Sequence, residues 1–595
     1  MTLTRRMSHY GGSLTAMSDV SLLTLLRERA FLSPDEPAFT YTDYEQDWDG
    51  VAETLSWSQM YRRALNVAKE LKQHGSAGDR AVILAPQGLA YIAGFLGAMQ
   101  AGFIAVPLPV PHPGAHDERV SAVLTDTTPS VVLTTTAAAG LVAEYVRESG
   151  ADATATVVEV DALDLDASVS IGEQPVDSGG VAYLQYTSGS TRLPAGVMVS
   201  HRNLQVNFRQ FMAGYFPEFN GVAPPDTTIV SWLPFYHDLG LILGVIAPVL
   251  GGYRCELTSP VAFLQRPARW IQAMADHRRA FSAAPNFAFE LAVRKTTDED
   301  LAGRDLGDVL GIVSGSERVH PATLDRFMNR FGPHNFRARA LHPAYGLAEA
   351  TLYVATLDVE CPPQTVYFES EKLTRGSAQR CPAEEGTPLL NYGVPKSPVV
   401  RIVDPDTCAE CSAGTVGEIW TAGANVSAGY WNKPEQTQEV FEAKLVRASE
   451  GTPSGPWLRT GDLGFISEGE LFIVGRMKDL LIIRGRNHYP EDIEATLQEI
   501  SGGRVAAISV PVDEDETLVT IIEVRARPES AEDTAQRLSA LKNDVQAAIA
   551  QHHGVTVADV VLVGPGSIPI TTSGKVRRAA CVEQYQTRQF TRMDG

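Results

Sequence analysis

Cysteine is scarce in this sequence, which holds six cysteines among 595 residues. So few cysteines in a chain of this length do not form a disulfide framework. Cys408 and Cys411 make one CxxC pair, but a zinc site normally needs a second pair at similar spacing. Cys361 and Cys381 do not provide that pair, so we expect a plain surface turn at the CxxC rather than a metal or redox site.

Long apolar runs are also missing. The longest one, 239–250, is shorter than the roughly 20 residues that a transmembrane helix needs, so we expect it to lie in the core. The N-terminal stretch carries Arg5 and Arg6 without a following apolar segment, which argues against a secretory signal. We therefore expect a cytoplasmic protein with no transmembrane segment and with a loose N-terminal extension over 1–18.

Positive charge is in short supply, because 50 Lys and Arg residues stand against 71 Asp and Glu residues and the formal net charge is -21. A surface that follows nucleic-acid phosphates needs a basic face, so we expect no nucleic-acid partner. The hydrophobic fraction of 44% is ordinary for a globular protein. A chain of 595 residues is too long for one hydrophobic core and should divide into two or more domains.

What the sequence does contain is an alternation of helical and strand patterns. Strand-like 81–86, an apolar helix around 92–100 and strand-like 104–109 form a βαβ unit, which indicates a parallel α/β sheet. Later strand signals at 399–404 and 417–423 indicate a smaller β-rich subdomain. The chain beyond about 485 has the pattern of a separate α+β domain of about a hundred residues, which is a usual domain size.

A turn rich in hydroxyls and glycine directly follows the apolar strand at 181–186. Thr187, Ser188, Ser190 and Thr191 offer hydroxyl donors, and Gly189 lets the backbone approach an anion closely. The turn does not end in the Gly-Lys-Ser/Thr of a Walker loop. A helix capped by Ser200 follows, which is the context of a phosphate site, although the turn alone is equally consistent with an ordinary Gly/Ser loop.

Four later segments carry chemistry-bearing residues. His237 lies between aromatic residues and an apolar run, Glu349 follows an aromatic and a glycine, Asp462 can accept bonds from ribose hydroxyls, and Lys575 follows a Ser-Gly turn. A carboxylate such as Glu349 suits Mg²⁺, which takes oxygen ligands from protein and phosphates. Each residue alone also has a simpler explanation, namely a structural histidine, a surface acid or a solvated basic run.

Taken together and in this order, the segments resemble the adenylate-forming superfamily of acyl-CoA synthetases, firefly-type luciferases and peptide-synthetase adenylation domains. The resemblance covers nearly the whole chain. Six collinear motifs carry it: TSGSTRLPAG, WLPFYHDLG, AYGLAEAT, LRTGDLG, GRMKDLL and PITTSGKVRR. Within the superfamily, the chain is most similar to fatty acyl-AMP ligases, particularly actinobacterial ones that feed polyketide synthases.

Two departures from the wider superfamily support this narrower resemblance. CoA ligases usually have Thr-Gly-x-Pro-Lys-Gly in the phosphate loop, whereas this chain has Ala195 in place of the lysine. The segment 357–392, which shows no clear periodicity, lies where fatty acyl-AMP ligases carry an insertion. In that family the insertion is thought to hinder the C-terminal domain from turning into the CoA-thiolating arrangement.

The resemblance implies an α/β fold with a large adenylate-forming N-terminal domain over 19–475, a hinge linker over 476–484 and a small mobile α+β C-terminal domain over 485–595. The N-terminal domain would contain two α/β subdomains and the β-rich subdomain. The resemblance further implies that the protein, with Mg²⁺ as cofactor, converts ATP and a medium- or long-chain fatty acid into acyl-AMP and pyrophosphate. The acyl group would then pass to the phosphopantetheine of an acyl carrier protein or polyketide synthase domain.

Two alternatives stay open at this point. A long-chain acyl-CoA synthetase differs only in the second half-reaction, and a non-catalytic acyl- or nucleotide-binding module would have lost the chemistry. In the ligase, the resemblance implies that Lys575 bridges the acyl carboxylate and the α-phosphate. It also implies that Glu349 is a ligand of Mg²⁺ and that His237 lies beside the carboxylate. Lys478 and Asp479 would form the hinge.

The remaining site residues are also carried over from the resemblance. ATP or AMP would be bound by Thr187, Ser188, Gly189, Ser190, Thr191, Gly315, Ser316, Glu317, Ala344, Tyr345, Gly346, Leu347, Asp462 and Arg476. The acyl chain would be bound by His237, Leu239, Gly240, Ile242, Phe281 and Ala284. An acidic carrier protein would need a basic patch, for which the candidates are Arg484, Arg486, Arg577 and Arg578.

Overall fold

The computed structural model describes residues 20–111, 117–148, 155–169, 179–187, 194–358, 361–383, 386–395, 397–483, 486–512, 515–525, 530–571 and 574–593. Two predictions fall outside these ranges. They are the N-terminal extension over 1–18 and the greater part of the phosphate loop, including Ser188, Gly189, Ser190 and Thr191.

Helices and strands alternate through most of the described chain. The strands are β1 (Pro37–Asp43), β2 (Val51–Ser56), β3 (Arg80–Ile83), β4 (Ile104–Pro107), β5 (Val131–Thr134), β6 (Thr156–Glu159), β7 (Val181–Tyr186), β8 (Gly196–Ser200), β9 (Thr228–Ser231), β10 (Arg254–Leu257), β11 (Ala280–Ala284), β12 (Gly311–Ser314), β13 (Leu341–Gly346), β14 (Tyr353–Thr356), β15 (Thr365–Glu369), β16 (Gly386–Leu390), β17 (Val399–Val403), β18 (Gly417–Ala422), β19 (Leu458–Ser467), β20 (Glu470–Arg476), β21 (Leu481–Ile483), β22 (Arg486–His488), β23 (Val505–Val512), β24 (Asp515–Glu523) and β25 (Val557–Val563).

The α-helices connect and cover these strands. They are α1 (Leu22–Leu32), α2 (Trp57–Leu71), α3 (Leu89–Ala101), α4 (Glu118–Thr127), α5 (Thr136–Glu148), α6 (His201–Tyr215), α7 (Asp238–Leu241), α8 (Ala247–Gly251), α9 (Pro260–Gln265), α10 (Ala268–Asp276), α11 (Asn286–Lys295), α12 (Pro321–Phe331), α13 (Ser370–Leu373), α14 (Pro434–Phe441), α15 (Pro490–Ser501), α16 (Ala531–His553) and α17 (Arg578–Gln586).

A six-stranded sheet in the order β6-β5-β3-β4-β7-β8 contains the predicted βαβ unit. Its strands run parallel except for β8, which is antiparallel to β7. Helix α3, apolar on nearly every face, is buried between this sheet and α2. A Cβ on Gly97 would lie 2.6 Å from the Val67 side chain, so the close contact of α2 and α3 requires glycine there. The helix predicted after Ser200 is confirmed, with that serine as its N-cap.

A second sheet has eight strands in the order β14-β13-β12-β11-β9-β10-β1-β2. The six inner strands are parallel, and the outer strands β14 and β2 pair antiparallel. The apolar run 239–250 forms α7, a π-helical turn (Ile242–Ile246) and α8, and its side chains are buried. This run was expected in the core, and the expectation is confirmed.

The segment 357–392 is more regular than its sequence suggests. Strands β15 and β16 pair antiparallel, and α13 lies between them in the chain. Phe368 of β15 is fully buried, with its ring centroid 4.8 Å from that of Phe465 and 5.0 Å from that of Phe472. The described part of the segment thus forms regular structure although its sequence shows no clear periodicity, because aromatic packing against the neighbouring sheet organises it despite the prolines and charges.

Smaller sheets make up the rest of the chain. Strands β17 to β20 form an antiparallel sheet in chain order, as the β-rich pattern predicts. Strands β23, β24 and β25 form a three-stranded sheet that is covered by α15, α16 and α17 and has its own hydrophobic clusters. The predicted α/β class with an α+β unit at the C-terminal end is confirmed, whereas the boundaries at 475 and 485 stay predictions.

Candidate active site

A cavity of about 460 Å³ lies where the chain leaves the carboxyl ends of β7, β9, β12 and β13. Ligands of α/β sheets bind at such strand ends. Most of the described residues predicted for the site line it. These are Thr187, His237, Leu239, Gly315, Ser316, Ala344, Tyr345, Gly346, Leu347, Glu349, Asp462, Arg476, Lys478 and Lys575.

Tyr345, Asp462 and Arg476 form one connected group on the cavity wall. Asp462 and Arg476 are opposite each other in the antiparallel pair β19–β20, and their side chains lie 3.4 Å apart, Oδ1 to Nε. The Tyr345 hydroxyl donates to Asp462 Oδ2 over 2.8 Å. The Asp462 carboxylate raises the pKa of Arg476. A carboxylate fixed in this way keeps further lone pairs for hydroxyl groups of a ligand.

Glu349 occupies a 3₁₀ turn (Ala348–Ala350) directly after β13. Its Oε1 accepts a hydrogen bond of 2.9 Å from the Tyr430 hydroxyl, and its backbone carbonyl accepts one of 2.9 Å from the Ser427 amide. Burial raises the pKa of Glu349, although the Tyr430 hydrogen bond opposes the shift. A cation beside this carboxylate would favour its charged form.

His237 and Asp238 form a close pair at the start of α7. The distance from His237 Nδ1 to Asp238 Oδ1 is 2.6 Å. Burial works against ionisation of Asp238, but His237, the Leu239 amide and the more distant Lys575 outweigh burial and lower its pKa. The adjacent carboxylate therefore orients the histidine, and both residues line the cavity.

Lys575 reaches the same cavity from the C-terminal end of the chain. Its loop is a tight turn in which the Thr571 amide donates to the Lys575 carbonyl over 2.7 Å and the Lys575 amide donates to Thr571 Oγ1 over 3.1 Å. Burial and the nearby Arg476 lower the pKa of Lys575, and the carboxylates of Glu317, Asp238 and Asp462 oppose that shift. The charges of three carboxylates from different segments of the chain thus act on one ammonium group.

Glu317 and Asp479 line a larger adjoining cavity of about 1780 Å³, which Lys575 also lines. Glu317 Oε1 accepts a long hydrogen bond of 3.4 Å from the Phe287 amide at the start of α11. Burial raises the pKa of Glu317, while Lys575 acts in the opposite direction. Ser316, just before it, has φ of 69°, a left-handed conformation that is uncommon outside glycine.

Only two of the six predicted acyl-binding residues line the smaller cavity. His237 and Leu239 line the 460 Å³ cavity, whereas Gly240, Ile242, Phe281 and Ala284 do not. Phe281 is 2% exposed and packs its ring against Phe211 and Phe216 behind the cavity. Strand β11 carries Phe281 and Ala284 into the core because the strand lies in the middle of the sheet.

Three aromatic side chains on the cavity wall were not predicted. Phe211 and Tyr215 of α6 and Tyr353 of β14 line the cavity and contact one another, with ring centroids 4.5 to 6.4 Å apart. The spacing of Phe211 and Tyr215, four residues apart on a predicted helix, places them on one face. That spacing could have identified them, but it did not show which face the cavity occupies. Arg119 and Tyr430 also line the cavity without prior prediction.

Two sequence expectations concern features away from this cavity. The chain turns before Cys408, where the Asp404 carboxylate accepts hydrogen bonds from the Asp406 and Thr407 amides, so the turn predicted at the CxxC is confirmed. In the part of the chain that the structure covers, no helix is long and apolar enough to cross a membrane.

Comparison with known protein families identifies the fold. The family described as AMP-binding enzyme matches residues 26–431, more than half of the chain. The chain belongs to the AMP-binding enzyme family. Residues 478–594 of this AMP-binding enzyme also match a family described as Disco-interacting protein 2-like, AMP domain.

Individual relatives of the AMP-binding enzyme match it almost from end to end. It is 66% identical to FadD21 of Mycobacterium tuberculosis, provisionally named a fatty-acid–CoA ligase, over 97% of this chain and 100% of that protein. It is 58% identical to the long-chain-fatty-acid–AMP ligase FadD28 of Mycobacterium tuberculosis, over 97% and 100%. A fatty acyl-adenylate ligase from L. pneumophila, solved with acyl adenylate and pyrophosphate, is 32% identical with a TM-score of 0.73 and coverage of 96% and 97%.

The resemblance read from the motifs is therefore confirmed at two levels. The chain has the fold and family of the adenylate-forming enzymes, and its relatives include fatty acyl-AMP ligases. The expectation that the protein is a ligase of this family is also confirmed, since relatives named as ligases match 97% of the chain.

Proposed function

We propose that this AMP-binding enzyme activates a medium- or long-chain fatty acid as its acyl-adenylate. A carboxylate oxygen of the acid attacks the α-phosphorus of ATP, the bond between the α-phosphorus and the bridging oxygen breaks, and pyrophosphate leaves. The observation that carries the proposal is the position of Lys575 in one cavity with Tyr345, Glu349 and Asp462. Two anions must meet in this reaction, and a preorganised ammonium group offsets the negative charge that develops.

Each cavity residue then has a role in the proposal. Lys575 bridges the acyl carboxylate and the α-phosphate, and His237, held by Asp238, lies beside the carboxylate. Asp462 accepts hydrogen bonds from the ribose hydroxyls next to Arg476. The adenine side is formed by Gly315, Ser316, Glu317, Ala344, Tyr345, Gly346 and Leu347, and the β- and γ-phosphates lie toward Thr187 and the loop 188–191.

Glu349 is the residue that we assign to Mg²⁺. Mg²⁺ is a hard ion that is commonly held by one or two carboxylates together with substrate phosphates. The half-buried Glu349 carboxylate fits such a site, because partial burial raises its pKa and a cation would stabilise its charged form. When bound, Mg²⁺ would neutralise part of the phosphate charge.

We further propose that the acyl group is transferred from acyl-AMP to the phosphopantetheine thiol of an acyl carrier protein or polyketide synthase domain. This transfer is supported by Ala195 in the loop and by contacts between the 357–392 segment and the C-terminal region. The Asn487 amide donates to the Thr374 carbonyl over 3.1 Å, and Arg486 lies 3.9 Å from Glu371. The competing candidate is an acyl-CoA synthetase, which the name given to FadD21 favours.

The basic patch proposed to bind a carrier protein contains fewer residues than the sequence predicted. Arg578 lies 2.7 Å from Glu494, 3.1 Å from Glu491 and 3.3 Å from Asp479, so its charge is already neutralised. These carboxylates raise its pKa, although burial opposes them. Arg577, next to it, is exposed and stays in the proposed patch, as does Arg486, while Arg484 lies outside the described residues. We also propose a cytoplasmic location and no nucleic-acid partner, as the composition suggests.

One incubation separates the candidate functions. The enzyme is mixed with ATP, Mg²⁺ and a ladder of fatty acids, with either CoA or a phosphopantetheinylated carrier protein, and the products are identified by mass spectrometry. We expect acyl-AMP and acylated carrier protein with little acyl-CoA. Abundant acyl-CoA would establish the synthetase instead, and the absence of ATP–pyrophosphate exchange with every acid would point to a binding module.

A further inference from the structure

We propose that Glu418 is a positioning residue for ribose recognition, because it holds the bulge that presents Asp462 to the cavity. Glu418 belongs to β18 and is 1% exposed, and it does not line the cavity itself. Asp462 does line the cavity, and its carboxylate is the proposed acceptor for the ribose hydroxyls. The inference therefore rests on the proposed function and adds a second residue to nucleotide specificity.

A bulge in β19 carries Asp462. The register between β18 and β19 shifts between Glu418 and Trp420, so that the single residue between them is opposite residues 460–462. Gly461, in the middle of this bulge, has φ of 71°, a left-handed conformation that glycine adopts without strain. Bulges next to binding sites re-aim a side chain, and this one places Asp462 on the cavity wall.

The Glu418 carboxylate is an acceptor for the backbone of this bulge. The Gly461 amide donates to Glu418 Oε1 over 3.1 Å. Two further bonds hold the bulge, since the Thr460 hydroxyl donates to the Ile419 carbonyl over 2.6 Å and the Asp462 amide donates to Thr460 Oγ1 over 3.1 Å. The extra residues of a bulge lose their partners in the sheet, so their amides need other acceptors. Glu418 is that acceptor for the residue directly before Asp462.

The second oxygen of the carboxylate fixes its orientation. Glu418 Oε2 accepts a hydrogen bond of 2.8 Å from the Trp420 indole and lies 2.9 Å from Arg459 Nη2 and 3.0 Å from Arg459 Nε. Because Oε2 is bound to these donors, Oε1 is left for the Gly461 amide. A buried ion pair typically adds little stability over apolar residues of similar volume. Stability alone thus does not account for a charged side chain here, whereas its hold on the bulge does.

The direction of the Asp462 carboxylate decides which lone pairs a ligand can reach. Its Oδ2 accepts from the Tyr345 hydroxyl over 2.8 Å, and its Oδ1 lies 3.4 Å from Arg476 Nε. Ribose hydroxyls can bind only to the lone pairs that these two partners leave free. A displaced bulge would turn those lone pairs away from the ribose, and hydrogen bonds weaken steeply when their angle is poor. Glu418 therefore acts on the nucleotide through Asp462.

Calorimetric titration of the full chain with ATP and with 2′,3′-dideoxy-ATP tests the proposal. The dideoxy nucleotide lacks both hydroxyl donors, so the wild-type protein should bind it roughly ten- to a hundredfold more weakly than ATP. In Glu418→Gln this ratio of Kd values should fall below about threefold, because the amide oxygen turns to Arg459 and the amide NH₂ then opposes the Gly461 amide. Thr421→Val is the matched control and should keep the wild-type ratio. Thr421 is a fully buried residue of the same strand, and its hydroxyl donates to the Val399 carbonyl instead.

Glu418→Asp provides a second test, which decides the question if Glu418→Gln does not fold. The shorter carboxylate keeps its bond to Arg459, because bonds between two charged groups are the stronger ones, and no longer reaches Gly461. We expect the same reduced Kd ratio, and thermal unfolding shows which variants are folded. A wild-type Kd ratio in either folded variant would overturn the proposal. Equal Kd values for the two nucleotides in the wild-type protein would overturn it as well, together with the ribose role of Asp462.

Combination with Asp462→Ala separates positioning from a general effect on the fold. Asp462→Ala should remove the discrimination, and adding Glu418→Gln to it should weaken ATP binding by no more than about twofold, since residues that act through one contact are not additive. A further loss as large as that of Glu418→Gln alone would contradict the proposal. ATP–pyrophosphate exchange is measured separately. Wild-type protein that discriminates between the nucleotides but shows no exchange with any fatty acid would contradict the proposed adenylation and still support the role of Glu418.

Discussion

At the scale of single residues, the proposed chemistry centres on the charge of Lys575. Burial and Arg476 lower the pKa of this lysine, whereas the carboxylates of Glu317, Asp238 and Asp462 act to raise it. A lysine in this place is a compact charge that can follow the transfer of negative charge from a carboxylate to a phosphate oxygen. The proposed chemistry therefore depends on Lys575 far more than on any one of the carboxylates around it.

The first prediction concerns this lysine. Replacing Lys575 by Ala should reduce adenylation on the order of 10²- to 10³-fold, because one preorganised charged donor is lost where charge develops. ATP–pyrophosphate exchange measures the effect. Lys444→Ala, at an exposed position, serves as the control and should leave exchange unchanged. Full exchange in Lys575→Ala would remove this residue from the proposed mechanism.

At the scale of helices and strands, the cavity is made by strand ends on one side and by α6 on the other. Phe211 and Tyr215 project from α6 and meet Tyr353 of β14 to form an aromatic wall. Phe281 of β11 lies behind this wall in the core. We expect this wall to be the surface that an acyl chain in the cavity contacts, with Phe281 supporting it from behind.

The second prediction follows from this arrangement. Phe211→Ala should shift the preferred fatty acid toward longer chains, because it enlarges the cavity, and should cost roughly 3–5 kcal/mol of stability. Phe281→Ala should cost a similar amount without changing the preference. Mass spectrometry of acyl-AMP from a ladder of acids and denaturant unfolding measure the two effects. An unchanged chain-length profile in Phe211→Ala would show that the acyl chain does not reach the wall.

The sequence predicted elements better than it predicted which residues line the cavity. The strand after 180, the helix after Ser200 and the buried run 239–250 were predicted, because apolar periodicity and capping are local properties. The pairing of β15 with β16 was missed, since it depends on Phe368 packing against rings about a hundred residues away. Phe281 was predicted to line the cavity but lies in the core. The sequence could not show this, because only tertiary packing decides which side of a central strand faces the ligand.

At the scale of the whole molecule, two ion pairs join α15 of the C-terminal region to earlier parts of the chain, in an arrangement that places Lys575 of the same region on the cavity wall. Arg318, which follows β12, is 2.6 Å from Asp492 of α15, and its side chain is 7% exposed. Arg326 of α12 is 2.8 Å from Glu499 of the same helix, but its side chain is 38% exposed. Burial alone would lower the pKa of Arg318, yet Asp492 more than compensates and raises it. The buried pair is therefore the stronger candidate for fixing this orientation.

The third prediction compares these two pairs. Arg318→Gln should weaken the docking of the C-terminal region and lower the rate of adenylation, because breaking a buried pair typically costs roughly 3–5 kcal/mol. Glu499→Gln, which breaks the exposed pair and leaves the 2.7 Å pair of Arg326 with Glu290 in place, should have little effect, since exposed pairs contribute about 0–1 kcal/mol. Pyrophosphate exchange gives the rate, and limited proteolysis near 476–483 reports the loosened contact. Equal rates in the two variants would show that the Arg318 pair does not control the orientation.

The lowered pKa of Lys575 has an energetic consequence for the whole enzyme. Before any nucleotide binds, this lysine loses its proton at a lower pH than an ordinary lysine does. A bound triphosphate adds negative charge and raises the pKa of this lysine. Below its lowered pKa the lysine is already charged, whereas above that value nucleotide binding draws a proton from the buffer. Calorimetry in buffers of different ionisation enthalpy should show proton uptake that grows with pH and disappears in Lys575→Met, so that ATP affinity falls under alkaline conditions.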